Sequence, residues 1–205
     1  MIEKIISSIG KNPRREKDAG YGERLPPGQH TVENWPVLTY GPAPSIRTDE
    51  WKFRVFGLVE EKRTWTFDEF LSLGKTTVHA DFHCVTSFSV MDNDWEGIPV
   101  SALMRDVQPL PECEAVMVHC FGGYTTNLTL DDINRPENLF ALLRNGEPLS
   151  KDHGGPVRLI VPHLYAWKSA KWISGLEFTK ADRPGFWEVN GYHMRGDPFL
   201  EERYS

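Results

Sequence analysis

A chain of 205 residues that is 40% hydrophobic, with seven Trp and eleven Phe, has the apolar surface for one packed core, and 25% charged residues is an ordinary globular level that excludes wholesale disorder. The 23 Lys and Arg against 29 Asp and Glu leave a net charge of −6, which repels phosphate backbones, so no nucleic-acid partner is expected. No stretch approaches the ~18 apolar residues of a membrane span, and Met1 to Lys17 lacks an apolar leader with a small-residue cleavage site; the expectation is a cytoplasmic protein without membrane insertion.

Residues 1–33 are polar and rich in Lys, Arg, Gly and Pro, and RLPPGQ reads as extended chain because consecutive prolines disfavour helix. They form an N-terminal arm, with 34–205 as the domain proper. Prolines and a glycine keep 35–44 irregular, and WKFRVFGLV (51–59) then alternates as a strand does. TFDEFLSLG describes a short helix with Thr66 as cap and Gly74 as terminator. TTVHADFHCV reads as a strand, and PVSALMRDV as a helix with Pro99 at its first position. EAVMVHCF is β-rich and ends in a Gly122-Gly123 turn, and TLDDI caps a further turn. In FALLRNGEPLSKDHGGPVRLIVP a strand, an Asn-Gly turn, a Gly-Gly loop and a buried strand succeed one another. Strands and short helices without a regular βαβ rhythm predict an α+β fold with a mixed β-sheet.

Two segments can carry chemistry. HADFHCVTSFS places His79, His83 and Cys84 at a strand end, where the thiol is a ligand, a nucleophile or a small buried apolar group. Cys84, Cys113 and Cys120 cannot all pair and none lies in a CxxC, so no disulfide scaffold is expected. KDHGGPVRLIVPHLYAWKSAKW sets a glycine-rich loop with His153 before Arg158, followed by Lys168, Ser169 and Lys171. A charge flanked by Val157, Leu159, Ile160 and Val161 is costly unless an anion or an internal carboxylate meets it. Cations and exposed backbone N–H groups suit a phosphate-bearing ligand, although the loop matches neither GxGxxG nor a Walker A pattern.

Together with LPPGQ, WPVLTYGPAP, WEGIPVSALM and GFWEVNGYHMRGDP, these segments resemble the molybdopterin-binding domain of the sulfite oxidase superfamily over roughly residues 25–205. The resemblance implies the sulfite oxidase-type fold, a molybdenum–molybdopterin cofactor and oxidoreductase chemistry. It implies Cys84 as the metal ligand, His153 and Arg158 on the cofactor's phosphate side, and Ser169, Ala170 and Lys171 as a cofactor-contacting triplet. Asn34 and Thr125 stand near two further family contacts, and Lys168 keeps a positive charge where sulfite oxidases have an arginine. A soft thiolate suits molybdenum, and His83 is a candidate proton donor or a packing residue beside it.

Sulfite oxidases also carry arginines shortly after the ligand cysteine, where this chain has Ser87, Phe88 and Ser89. A sulfoxide or N-oxide is therefore at least as well indicated as sulfite for the small-molecule substrate, with a soluble electron donor or acceptor as partner. The alternatives are a non-catalytic molybdopterin carrier, a structural zinc site built from His79, His83, Cys84, His119 and Cys120, and a hydrolase using Cys84.

Overall fold

Alternation of apolar and polar side chains puts one face of each strand inside, and two sheets result. The computed structural model describes residues 17–205; residues 1–16, which hold half of the predicted arm and nearly all of the segment searched for a leader, lie outside them. The first sheet runs β1 (His30–Thr31), β5 (Phe88–Pro99), β8 (Leu139–Arg144), β10 (Arg158–Ile160), with β4 (Thr76–His83) also on β5 and β9 (Glu147–Pro148) on β8. The second runs β3 (Arg63–Thr66), β2 (Lys52–Gly57), β11 (Ile173–Thr179), β6 (Ala115–Cys120), β7 (Thr125–Thr129). Parallel pairs, β1 with β5 and β2 with β11, sit among antiparallel ones, so both sheets are mixed as expected.

The sheets meet through a common core. Phe53 and Val55 of β2, Val116 and Val118 of β6 and Leu176 of β11 pack with Phe140 of β8 and Leu159 of β10. The rings of Phe53 and Phe140, both without exposed surface, lie 5.2 Å apart across the interface. Burial at this level stabilises by ~2 kcal/mol per side chain. On the other face of the first sheet Leu139 and Ala141 of β8 and Ile160 of β10 join a second cluster with Phe82, Phe88, Trp95 and Tyr165. Arg158 is two residues from Ile160 and therefore shares this second face.

Short helices close the strand ends: α1 (Phe67–Leu71), α2 (Val100–Val107), α3 (Leu130–Ile133) and α4 (Phe186–Val189). Thr66 caps α1 in a full capping box, Glu69 Oε2 accepting the Thr66 N–H at 2.8 Å. Pro99 precedes the first turn of α2 rather than occupying it, because it is still the last residue of β5, paired with Leu139. Asn145 and Gly146 both take positive φ, 52° and 80°, and make the expected tight turn between β8 and β9.

Strands β3, β5, β7 and β11, and the two-residue β1 and β9, were not legible in the sequence. β5 interrupts its apolar residues with Asp92, Asn93 and Asp94; Asp92 takes φ 55°, and Asn93 donates to the carbonyls of Ala80 and Val90. Side chains that bond locally in this way break a period-2 pattern. β3, β7 and β11 are short or carry polar residues on their second face. Within the predicted arm, His30 and Thr31 pair with Phe88 and Ser89.

Candidate active site

Cys84 follows β4 and opens a turn back into β5. Its N–H donates to Phe88 O at 2.8 Å and its carbonyl accepts from the Ser87 N–H at 3.0 Å, with Ser87 in the left-handed region at φ 73°. The sulfur lies 3.2 Å from Thr86 Oγ1 and faces a cavity of about 350 Å³. Burial raises the thiol above its ordinary value, and no imidazole among the described residues is bonded to it. A nucleophilic cysteine needs the opposite environment, which removes the basis for a Cys-His hydrolase.

The cations lie at the other end of the cavity. The 151–153 turn is capped by Ser150, whose Oγ sits 3.0 Å from His153 Nδ1, and Gly154 follows at φ 105°. A Cβ on Gly154 would come within 3.1 Å of the Cβ atoms of Arg158 and Lys171, so glycine lets the loop close on both. His153 Nε2 meets Trp35 O at 3.2 Å, which makes Nε2 the protonated nitrogen and leaves Nδ1 to accept from Ser150. Its ring stacks on Trp35 at 4.1 Å, and burial, reinforced by nearby cations, lowers its pKa and keeps it neutral.

Arg158 is the decisive residue. It is 2% exposed and donates to His153 O at 2.9 Å and to Ser169 O, while its Nε has no partner. Its guanidinium carbon is 5.1 Å from the Trp35 ring and 5.2 Å from that of Phe82. Among the described residues it makes no ion pair, so the internal carboxylate that the sequence left open is not there. Burial pulls it down to about 9, which leaves it charged at neutral pH.

Lys171 is in a similar state. Its Nζ donates to Leu38 O at 2.8 Å and Asp152 O at 2.6 Å, and burial followed by repulsion from Arg158 takes it to about 8. Two cations facing one cavity without a carboxylate, one with an orphaned N–H, form a receptor for an anionic group, so these residues fit a phosphate-bearing cofactor. Ser169 and Ala170 line the same wall. Ser169 Oγ accepts the Val161 N–H at 2.9 Å, and Ala170 O accepts from Leu159 at 2.9 Å, which fastens this segment to β10.

The remaining expected residues lie outside the cavity lining. Asn34 is exposed next to Trp35, and Thr125 is next to Tyr124; in both cases the neighbour, not the residue itself, lines the space. His83 is buried with Nδ1 2.8 Å from Ser89 Oγ, and desolvation lowers it to about 4. Lys168 has no exposed surface and points away, bonding to Asn127 O and Oδ1, to Met194 O and to Glu188 Oε1 at 2.7 Å.

Glu188 Oε1 also accepts from Thr126 Oγ1 at 2.9 Å and Trp167 Nε1 at 2.8 Å, so the Lys168 charge is neutralised internally. Removing one member of a fully buried pair strands the other. Glu188→Ala is expected to destabilise the fold by about 3–5 kcal/mol in urea denaturation, with most of the loss recovered in Glu188→Ala/Lys168→Met. A loss under about 1 kcal/mol would mean that the three oxygens of Asn127 and Met194 suffice to hold the ammonium.

Sequence reasoning missed the aromatic walls. Trp35 roofs the cationic end, and Trp167, Trp187 and Tyr192 stand at the Cys84 end, with Trp187 and Tyr192 stacked at 4.9 Å. Aromatic residues in irregular segments give no periodic signal, which is why they escaped. The residues of the zinc alternative are dispersed: His79 is exposed against Asp94, while His119 and Cys120 belong to the other sheet. Among the described residues no group of three or more His, Cys, Asp or Glu is arranged to hold a metal ion.

Comparison with known proteins identifies the family. The chain is 42% identical over 183 residues to uncharacterized oxidoreductase YuiH of Bacillus subtilis, covering 89% of this chain and 92% of that one. It is 26% identical to the protein-methionine-sulfoxide reductase catalytic subunit MsrP of Ralstonia nicotianae, over 72% of this chain and 49% of that protein. The structure of sulfane dehydrogenase SoxCD from Paracoccus pantotrophus superposes with a TM-score of 0.61 at 21% identity, covering 68% of this chain and 40% of that one, and so shares the fold. Residues 40–187, which contain Cys84, Arg158 and Lys171, match the profile described as oxidoreductase molybdopterin binding domain. With an anion receptor and a thiol on one cavity inside that span, the chain belongs to the oxidoreductase molybdopterin-binding domain family, an α+β enzyme of the sulfite oxidase superfamily whose cofactor is molybdenum–molybdopterin.

Proposed function

We propose that this enzyme reduces a small neutral oxide, a sulfoxide or an N-oxide, with Cys84 as the protein ligand to molybdenum and Arg158, Lys171 and His153 on the phosphate side of the pterin. The bound cofactor supplies the oxygen-atom and electron transfer chemistry. Overall, the S–O or N–O bond breaks, two electrons and two protons are taken up, and the thioether or amine leaves with water. A soluble donor in the cytoplasm provides the electrons; no helix among the described residues is long and apolar enough to cross a membrane.

The observation that carries the choice of substrate is the separation of charge within the cavity. Around Cys84 the walls are Val85, Phe88, Trp167, Trp187 and Tyr192, all without formal charge, and Lys168, the cation the sequence placed here, is spent on Glu188. An anion brought here would lose its hydration against these walls, and the nearest cation, Arg203, lies behind the turn, outside the lining and bonded to Val85 O, whereas a neutral sulfur group gains contacts with aromatic faces. Protein groups at this end orient the substrate and exclude water, and Arg158 and Lys171 neutralise the cofactor's phosphate.

The test is molybdenum and pterin analysis of protein made in a host that synthesises the cofactor, followed by turnover with reduced viologen. About one molybdenum per chain, and kcat/KM for methyl aryl sulfoxides at least roughly tenfold above that for sulfite or nitrate, is the expected result. A preference for the anions would sink the substrate assignment. A fully loaded protein that turns over none of these compounds would make it a cofactor-binding protein without this chemistry.

A further inference from the structure

The turn that carries Cys84 is held by groups remote in sequence. Cys84 O accepts from Gln29 Nε2 at 3.0 Å, Ser87 O accepts from the His30 N–H at 3.0 Å, and Val85 O accepts from Arg203 Nη1. Three carbonyl groups of one turn, those of Cys84, Val85 and Ser87, thus receive donors from segments near the two ends of the described chain. Arg203 Nη1 also reaches Ser87 Oγ at 3.3 Å, at the residue whose φ of 73° an ordinary side chain rarely adopts. The guanidinium carbon lies 5.1 Å from the Tyr165 ring, which fixes its plane, and Arg203 O accepts from the His193 N–H at 3.2 Å, which ties the segment itself down.

We propose that Arg203 is a positioning residue for Cys84, a clamp that keeps the turn closed and the sulfur directed into the cavity. The inference rests on the reading of Cys84 as metal ligand. Arg203 does not line the cavity, and its Nη1 is engaged by the turn, so it is placed to hold the cysteine rather than to grip a substrate. It brings a cation to Ser87, in the stretch where this chain has no arginine of its own. A planar fork that stacks on Tyr165 while donating to the turn is a task for arginine, which lysine performs only in part.

The test compares Arg203→Ala, Arg203→Lys and, as a control, Arg183→Ala, an exposed arginine paired with Glu177. In metal-free protein at one fixed pH, the iodoacetamide alkylation rate of each cysteine is followed by mass spectrometry. The expected result is a rise of roughly tenfold at Cys84 in Arg203→Ala, the scale of losing one charge-assisted hydrogen bond, with Cys113 and Cys120 unchanged. Arg203→Lys should recover part of the protection and Arg183→Ala none of the effect. In loaded protein, molybdenum content should persist while the paramagnetic signal of the metal changes in Arg203→Ala.

Unchanged Cys84 alkylation together with an unchanged metal signal would overturn the clamp. Equal exposure of all three cysteines would overturn it too, by assigning Arg203 to global stability. If Arg203→Ala does not fold, the same two readings on Arg203→Lys decide. A metal signal indifferent to Cys84→Ser overturns the ligand reading instead, and a rise in alkylation confined to Cys84 still supports the clamp in that case.

Discussion

Arg158→Met will lose the cofactor and leave the empty chain at least as stable as before. The two effects have one origin. A guanidinium 2% exposed, with an orphaned Nε and no carboxylate, is a cation whose desolvation is not compensated until an anion arrives. Methionine replaces the aliphatic stem without that penalty, its flexible thioether adjusting toward Trp35 and Phe82. Removing the desolvated charge and its orphaned N–H offsets the donors that the carbonyls of His153 and Ser169 lose, so the metal-free protein should come out level or ahead by up to about 1 kcal/mol. The loaded protein loses charge-assisted bonds to phosphate, and pterin retention should fall roughly a hundredfold. Pterin fluorescence after dialysis and urea unfolding of the metal-free forms measure the two sides. Undiminished retention would put the phosphate elsewhere. A loss of several kcal/mol in the empty chain would make Arg158 a brace for the His153 loop.

Cys84→Ser separates holding the cofactor from using it. Arg158, Lys171 and His153 are untouched by this change, so pterin should remain near its wild-type amount. The metal, deprived of its soft protein ligand, should show one sulfur fewer in molybdenum-edge X-ray absorption, and turnover should fall roughly a hundredfold or more, since even residues that merely support a ligand are worth ten- to hundredfold. Loss of pterin along with the metal would mean that Cys84 anchors the whole group. An absorption edge identical to wild type would remove the cysteine from the coordination sphere.

The two chemically important residues were legible for different reasons. Arg158 announced itself because a permanent charge inside VRLIV has no apolar explanation, and the structure removes the internal partner that the sequence had left open. Cys84 carried no such signal alone; only its place among several ordered motifs marked it. Lys168 misled, because its partner Glu188 lies twenty residues on in an exposed-looking segment, and sequence spacing says nothing about two side chains that meet across a turn. Trp35 and Arg203 were invisible for the same physical cause: their roles depend on where irregular chain is laid against β4 and β10, and tertiary placement of such chain leaves no period to read. Of the strands, β2, β4, β8 and β10 could be read where one face was uniformly apolar, and β5 could not because its polar residues are satisfied inside the sheet.

The division of labour along β10 carries a consequence for how errors are tolerated. Leu159 turns to the core between the sheets, and Arg158 and Ile160 to the opposite side. If this strand paired with β8 one residue out of step, the guanidinium would be driven among Phe53 and Phe140 while leucine took its place facing the ligand. A misthreaded chain would therefore fail to fold before it could fail to bind. The same arrangement forbids single-residue insertions and deletions inside β10.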